Sequence, residues 1–136
     1  MADLTITAAS VAKGTNANAT SAYLAGAAIT AGQSVYLDST DNTMKLADAD
    51  ALASSAAFGV ALNSAASGQP IAVQRSGNIT IGATVTTGVA YYVSTTAGGI
   101  CLESDLSTGD FPHFLGFATS TTVIALDPKA CGVAKA

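Results

Sequence analysis

Residues 32–46 and residues 88–102 carry one pattern, 56 positions apart. Gly32 falls on Gly88, Tyr36 on Tyr92, Thr40 on Thr96 and Leu46 on Leu102. Apolar meets apolar at Leu37 and Val93, and again at Met44 and Ile100. Farther on, Phe58-Gly59-Val60-Ala61 matches Leu115-Gly116-Phe117-Ala118 at a shift of 57. After a four-residue shortening, Pro70-Ile71-Ala72-Val73 meets Val123-Ile124-Ala125-Leu126. Each copy reads as strand, turn, strand, loop, strand, strand. A β-unit stated twice limits the fold before it says anything of function. The competing explanation is chance similarity among strands rich in Ala, Ser, Thr and Gly.

The pseudo-repeats span about residues 29–75 and 85–127. In the first, residues 34–37 and 43–46 read as strands around a turn at 38–42, where Asp and Asn side chains bond their own backbone. Residues 47–57 read as a surface loop or at most a few helical turns, and 58–62 and 70–75 as strands. A turn and a short strand at 76–82 separate the copies. In the second, 91–94 and 99–102 form a hairpin, 103–111 an acidic loop, and 112–118 and 122–126 the last strands. Pro128 lacks a ladder donor, so strand structure is expected to stop at 127 and residues 128–136 to form a flexible tail. Leu4 and Ile6 alternate with Thr5 and Thr7, a short strand pattern. From residue 12 to 28 only Tyr23 and Leu24 are bulky neighbours. Residues 1–28 therefore read as an extended N-terminal arm. Short strands with turn chemistry between them predict an all-β domain, a compact β-sandwich or small β-barrel. No βαβ crossover of adequate length is visible.

The 136 residues suit one domain. Charged residues are 10% of the chain, against roughly 25% in an average soluble domain. Too few charges are present to cover a solitary monomer in the usual way, which points to surface that meets its own copies or a larger assembly. Net charge is −4, and the cations Lys13, Lys45, Arg75, Lys129 and Lys135 are scattered. That disfavours nucleic acid, which calls for clustered positive charge. No apolar run approaches the roughly 18 residues of a membrane span. The N-terminus lacks the pattern of a secretion signal, and Cys101 and Cys131 are expected to be free thiols in a reducing cytoplasm.

No catalytic or metal-binding set emerges, and no cofactor is expected. His113 is the single histidine and reads as structural. Cys101 with His113 would need a positioned partner and a cationic pocket. Asp38, Asp41, Asp48 and Asp50 lack the alternation and closing Glu of a calcium loop, so turn and solvation roles are expected. Gly98-Gly99 lies in a hairpin, not between strand and helix as a phosphate loop would. Tyr23, Tyr36, Tyr91 and Tyr92 are the rings available for a sugar platform, but Tyr36 and Tyr92 hold matching repeat positions and read as core or cross-strand packing.

Residues 31–38, 44–51, 58–63 and 68–73 form blocks: Ala31-Gly32-Gln33 to Asp38, Met44-Lys45-Leu46 to Asp50-Ala51, Phe58-Gly59-Val60-Ala61-Leu62-Asn63, and Gly68-Gln69-Pro70 to Val73. These resemble the capsid decoration (cement) proteins of tailed phages, and their order is similar to the lambda-type head decoration protein. The resemblance covers about residues 1–127. It implies a homotrimer on the outer surface of an icosahedral head, made in the host cytoplasm and bound to major capsid protein. It also implies that the arm lies on the capsid protein and adds a strand to it, with Leu4, Ile6, Val11, Tyr23 and Leu24 as contacts. The chain departs from the lambda type in its clearer duplication and greater length, which bears on the detailed fold. Strand addition draws affinity from backbone hydrogen bonds and needs an extended segment. Deleting residues 2–28 is accordingly expected to leave a folded trimer that no longer binds heads. A second reading is a receptor- or glycan-binding β-domain of a phage fibre or spike, with a host-surface glycan as partner.

Overall fold

The computed structural model describes residues 3–136; Met1 and Ala2, part of the expected arm, lie outside the described residues. The all-β expectation holds. One curled, antiparallel sheet of ten strands forms a half-barrel. Its strands are β1 (Val11–Lys13), β2 (Asn18–Leu24), β3 (Ser34–Asp38), β4 (Thr43–Leu46), β5 (Gly59–Ala61), β6 (Pro70–Ile81), β7 (Ala90–Val93), β8 (Ile100–Cys101), β9 (His113–Ala118) and β10 (Val123–Ala130). Bonded neighbours follow the order β4-β3-β5-β6-β10-β9-β7-β8, and β1 and β2 both pair with β6. The loop at 47–57 holds a single helical turn, α1 (Leu52–Ser55).

The duplication is one of strand register. Tyr36 pairs with Lys45 and Leu37 with Met44; in the second copy Tyr92 pairs with Cys101 and Val93 with Ile100. Ser34–Val60 and Val35–Gly59 recur as Ala90–Phe117 and Tyr91–Gly116. Val60–Gln74 and Ala61–Val73 recur as Phe117–Ala125 and Ala118–Ile124. This last pairing corrects the sequence alignment: Val73 corresponds to Ile124, a shift of 51, rather than to Leu126. A Cβ on Gly59 would lie 2.1 Å from the Gln74 carbonyl oxygen, and one on Gly116 would lie 2.1 Å from that of Ala125. The close approach of two strands explains a glycine at both places.

Each copy also has a first strand: β2 in the first copy was not expected, whereas that of the second falls on the short strand read within 76–82. β2 pairs with the first half of β6, and the second half of β6 pairs with β10. The 12-residue β6 therefore ends one copy and begins the next. The turn expected at 76–77 is instead a pivot within this strand. Gly77 has φ +86, and a Cβ there would lie 2.1 Å from the Asn16 carbonyl oxygen, so glycine meets both demands. In the first copy the ends of the unit meet: Ala25 bridges to Met44, and the Gly26 amide donates to the Met44 carbonyl at 2.7 Å. At the equivalent positions of the second copy the N-terminal segment joins them. The Leu4 amide donates to the Ile100 carbonyl at 2.9 Å and the Thr7 amide to the Gly82 carbonyl at 2.8 Å.

The expectation of an arm standing apart from the β-domain is thereby corrected. Residues 4–7 are not a strand, but Val11–Lys13 and Asn18–Leu24 run antiparallel along β6. The cause is backbone satisfaction: β6 has donors and acceptors on both edges, and residues 11–24 supply partners for one set. The tail departs from expectation too. β10 continues through Pro128 to Ala130. Its register shifts between Leu126 and Lys129, and its pairing with β6 ends at Leu126, so the proline sits in an irregularity where a missing N–H is tolerated. Residues 131–136 are tied back. The Gly109 amide donates to the Lys135 carbonyl at 2.9 Å, and the Lys135 ammonium reaches the Leu106 carbonyl at 2.7 Å and the Glu103 carboxylate at 3.0 Å.

Two apolar clusters fill the sheet's curvature. The smaller belongs to the first copy and includes Ile29, Val35, Met44, Ile71 and Val73. The larger holds Ile79, Ile81, Val93, Ile100, Leu115 and Ile124 of the second copy, and it also takes in Ala47, Ala49, Ala57 and Val60 of the first. The copies are therefore one packing unit: the first lends a face to the core of the second.

Candidate functional site

Of the five residues expected to touch a capsid, four turn toward the chain's own cores. Leu4, Ile6 and Val11 pack against the larger cluster and Tyr23 against the smaller. The Tyr23 ring meets Phe58 edge-on at 5.6 Å between centroids. Leu24 is the exposed member, at 47%. The Asp3 carboxylate accepts a hydrogen bond from the Ser94 hydroxyl at 2.5 Å, which further fixes the segment.

The residues weighed for chemistry are spent on structure. His113 is buried on β9, and neither ring nitrogen has a hydrogen-bond partner among the described residues. Burial lowers its pKa from the ordinary 6.5. A histidine whose folded pKa is depressed binds fewer protons folded than unfolded. Its contribution is complete above the unfolded value of 6.5 and declines as pH falls below it. The thermal midpoint is expected to fall as pH drops from about 7 below 6.5, and His113→Leu is expected to remove that component. Circular-dichroism melts across this range check it; parallel slopes for the two proteins would contradict it.

Cys101 is buried, and burial first, then the charges of Asp3 and Asp105, push its pKa up to about 12. The thiol stays protonated at neutral pH and is not a nucleophile. Cys131 is exposed, and both cysteines are free. In the β3–β4 turn, Asp38 accepts from the amide and hydroxyl of Thr40, and Asp41 from those of Thr43. The Lys45 ammonium lies 2.6 Å from Asp38 and 3.2 Å from Asp41. The hydrogen bond from Lys45, then those from Thr40, hold the Asp38 carboxyl well below the usual carboxylate range. Asp50 is shifted the other way, chiefly by the charge of Asp48 beside it. Among the described residues no three His, Cys, Asp or Glu side chains are grouped to hold a metal.

The tyrosines do not form one platform. Tyr91 is buried, and its hydroxyl accepts from the Thr86 amide at 3.0 Å. Tyr92 belongs to a different group: its ring meets Phe114 at 5.8 Å, and Phe114 meets Phe117 at 5.0 Å, both edge-on. Phe117 is 53% exposed. With Ala90, Ala125 and Leu126 these rings line an open apolar groove on β7, β9 and β10, and its polar side chains are Asp127 and Lys129. Simple alternation along β9 would put Phe117 on the face of buried Leu115; the register shifts opposite Leu115, between Tyr91 and Tyr92 and between Leu126 and Lys129, break that alternation, and sequence alone does not show them.

Set against protein-family models, curated proteins and solved structures, the chain matches none of them.

Proposed function

We propose that this chain is a structural virion protein, a homotrimeric decoration (cement) protein that binds the outer surface of a tailed-phage head and bridges neighbouring major capsid protein subunits. What supports the reading is the resemblance to such proteins of the blocks from Ala31-Gly32-Gln33 to Pro70-Ile71-Ala72-Val73. These blocks build β3, β4, β5 and the first half of β6, the frame of the first copy. The neighbouring chemistry agrees with a role in holding rather than transforming. Its histidine and one thiol are buried, and the carboxylates of the β3–β4 turn are tied to their own loop. A clip that binds the assembled shell and not the free subunits stabilises the shell by linkage. Three chains on one surface multiply weak single contacts through effective concentration.

Heads prepared without the protein provide the test. Purified chain added back is expected to co-sediment with them to saturation and to raise the temperature at which they break down; failure to co-sediment contradicts the reading. A receptor- or glycan-binding role is favoured by one observation, exposed Phe117 beside the half-buried rings of Tyr92 and Phe114. Sugar sites surround such rings with polar groups, whereas Asp127 and Lys129 here are 3.3 Å apart and occupied with each other. Specific, competable binding on a glycan array would support that second role.

A further inference from the structure

Residues 25–33 of the first copy and 81–89 of the second bond to the rest of their copies in the same way. The Ala25 amide donates to the Gln69 carbonyl at 2.8 Å, and the Ile81 amide to that of Thr122 at 3.0 Å. The Ile29 amide donates to the Ala65 carbonyl and the Val85 amide to that of Thr121, both at 2.9 Å. The Gly32 amide donates to the Ala61 carbonyl at 2.8 Å, and the Gly88 amide to that of Ala118 at 2.7 Å. Each donor is displaced by 56 positions, the spacing of the repeat itself.

The match fails at one place. In the first copy the Gly26 amide bonds straight to the Met44 carbonyl, and a Cβ on Gly26 would run into the Thr43 hydroxyl, so this segment lies directly against β4. The counterparts Gly82 and Ile100 make no such bond among the described residues. Residues 3–7 stand between them. The Ile100 carbonyl accepts from the Leu4 amide, the Gly82 carbonyl accepts from the Thr7 amide, and a Cβ on Gly82 would run into the Thr7 carbonyl. The unit thus closes on itself in one copy and is held open by an insert in the other. The first copy shows that the unit can do without the insert.

The insert is lightly held. Its apolar side chains, Leu4 and Ile6, are half-buried, and Thr5 and Thr7 are exposed. Open clefts border it, one with Tyr91 and Cys101 beside Leu4 and another with Thr80 and Thr122 beside Thr7. It joins β1 through Ala8–Ser10, a single 3-10 turn with no buried residue, whereas β1 itself is paired with β6. A hinge at that turn frees residues 3–7 and leaves β1 and β2 in place.

We propose that residues 3–7 are a detachable strap, and that when they leave, the second copy closes as the first does, with the Gly82 amide donating to the Ile100 carbonyl. Closure re-pairs a carbonyl that the strap gives up, which offsets part of the backbone cost of release. What is lost is the contact of Leu4 and Ile6 with the larger core and the hydrogen bond between Asp3 and Ser94. Local openings of this kind lie below global unfolding in free energy. The chain then has two native forms, one with Leu4 and Ile6 sheathed and one with them exposed. The opening is a property of the single chain and involves no capsid.

The experiment is amide hydrogen exchange of the full-length protein, followed residue by residue by NMR. In wild type the Leu4 and Thr7 amides are expected to exchange together, at least about 100-fold faster than those of Ala61 and Ile81. Ile6→Asp places a charge where the strap meets the core and is expected to hold it out. Leu4 and Thr7 then exchange as in an unfolded chain, while Ala61 and Ile81 stay protected. The Gly82 amide is expected to become about 10-fold or more better protected than in wild type, which separates a strap from a merely frayed end. Wild-type Leu4 and Thr7 amides as slow as those of Ala61 and Ile81 overturn the proposal, because the segment would then leave only on global unfolding. So does an Ile6→Asp chain that fails to fold, or a folded one whose Gly82 amide is no better protected than in wild type.

Discussion

A chain lacking residues 2–28 is expected not to fold. The deletion removes β1 and β2 and strips partners from both halves of β6. It takes away Ala25, 1% exposed in the smaller core, and it uncovers the larger core where Leu4, Ile6 and Val11 pack. Partly buried Leu4, Ile6 and Val11 each contribute less than the about 1.5–3 kcal/mol of a fully buried aliphatic side chain, and unpaired strand backbone along β6 adds to the loss. Together these are comparable with the ~5–15 kcal/mol that holds a domain folded. Far-ultraviolet circular dichroism should show no cooperative melt. A sharp transition within a few degrees of the full-length protein would mean that the N-terminal segment is dispensable. The reading of residues 1–28 as an arm predicted that dispensable behaviour, and the pairing along β6 reverses it.

Alanine at Gly59 or at Gly116 is expected to cost about 3 kcal/mol in each case, on the order of 10 °C in thermal midpoint. Neither glycine has a positive φ, so the cost is one of space and not of backbone conformation. The added methyl carbon would stand 2.1 Å from a backbone oxygen in both copies, at Gln74 and at Ala125, and 2.9 Å from the carbonyl carbon behind it. Backbone in a paired strand cannot swing aside as a side-chain tip does. The strands must separate, which weakens the β5–β6 ladder in one variant and the β9–β10 ladder in the other. Urea or thermal unfolding of both variants measures the loss. Similar large losses support the structural equivalence of the copies; a loss below about 1 kcal/mol at either site would refute the close crossing.

The hairpins were legible because their signals are local. Residues 34–46 and 90–101 combine β-formers with turn residues, and the 56-residue spacing carries through to the paired Tyr36–Lys45 and Tyr92–Cys101. β2 was not legible. Asn-Ala-Thr-Ser-Ala has no apolar alternation, and its strand conformation comes from the β6 edge that it pairs with some fifty residues away. Ser76-Gly77-Asn78 read as a turn because those residue types favour turns, yet with Gly77 at φ +86 the chain pivots and continues as strand. Pro128 looked like a strand end because the bulge that accommodates it depends on register. The candidate surface was hidden for a related reason. Val60 and Phe117 occupy matching positions, and which one is covered depends on how the two copies pack, a property no local pattern records. The expected contacts Leu4, Ile6, Val11 and Tyr23 were recognised as apolar anchors, but their own cores take them.

The proposed capsid role is tested most directly by a density map of purified phage heads to which this chain has been added. The account predicts threefold protrusions on the outer head surface into which the curled ten-stranded sheet fits, each touching adjacent capsid subunits. A head surface that gains no such density would contradict it.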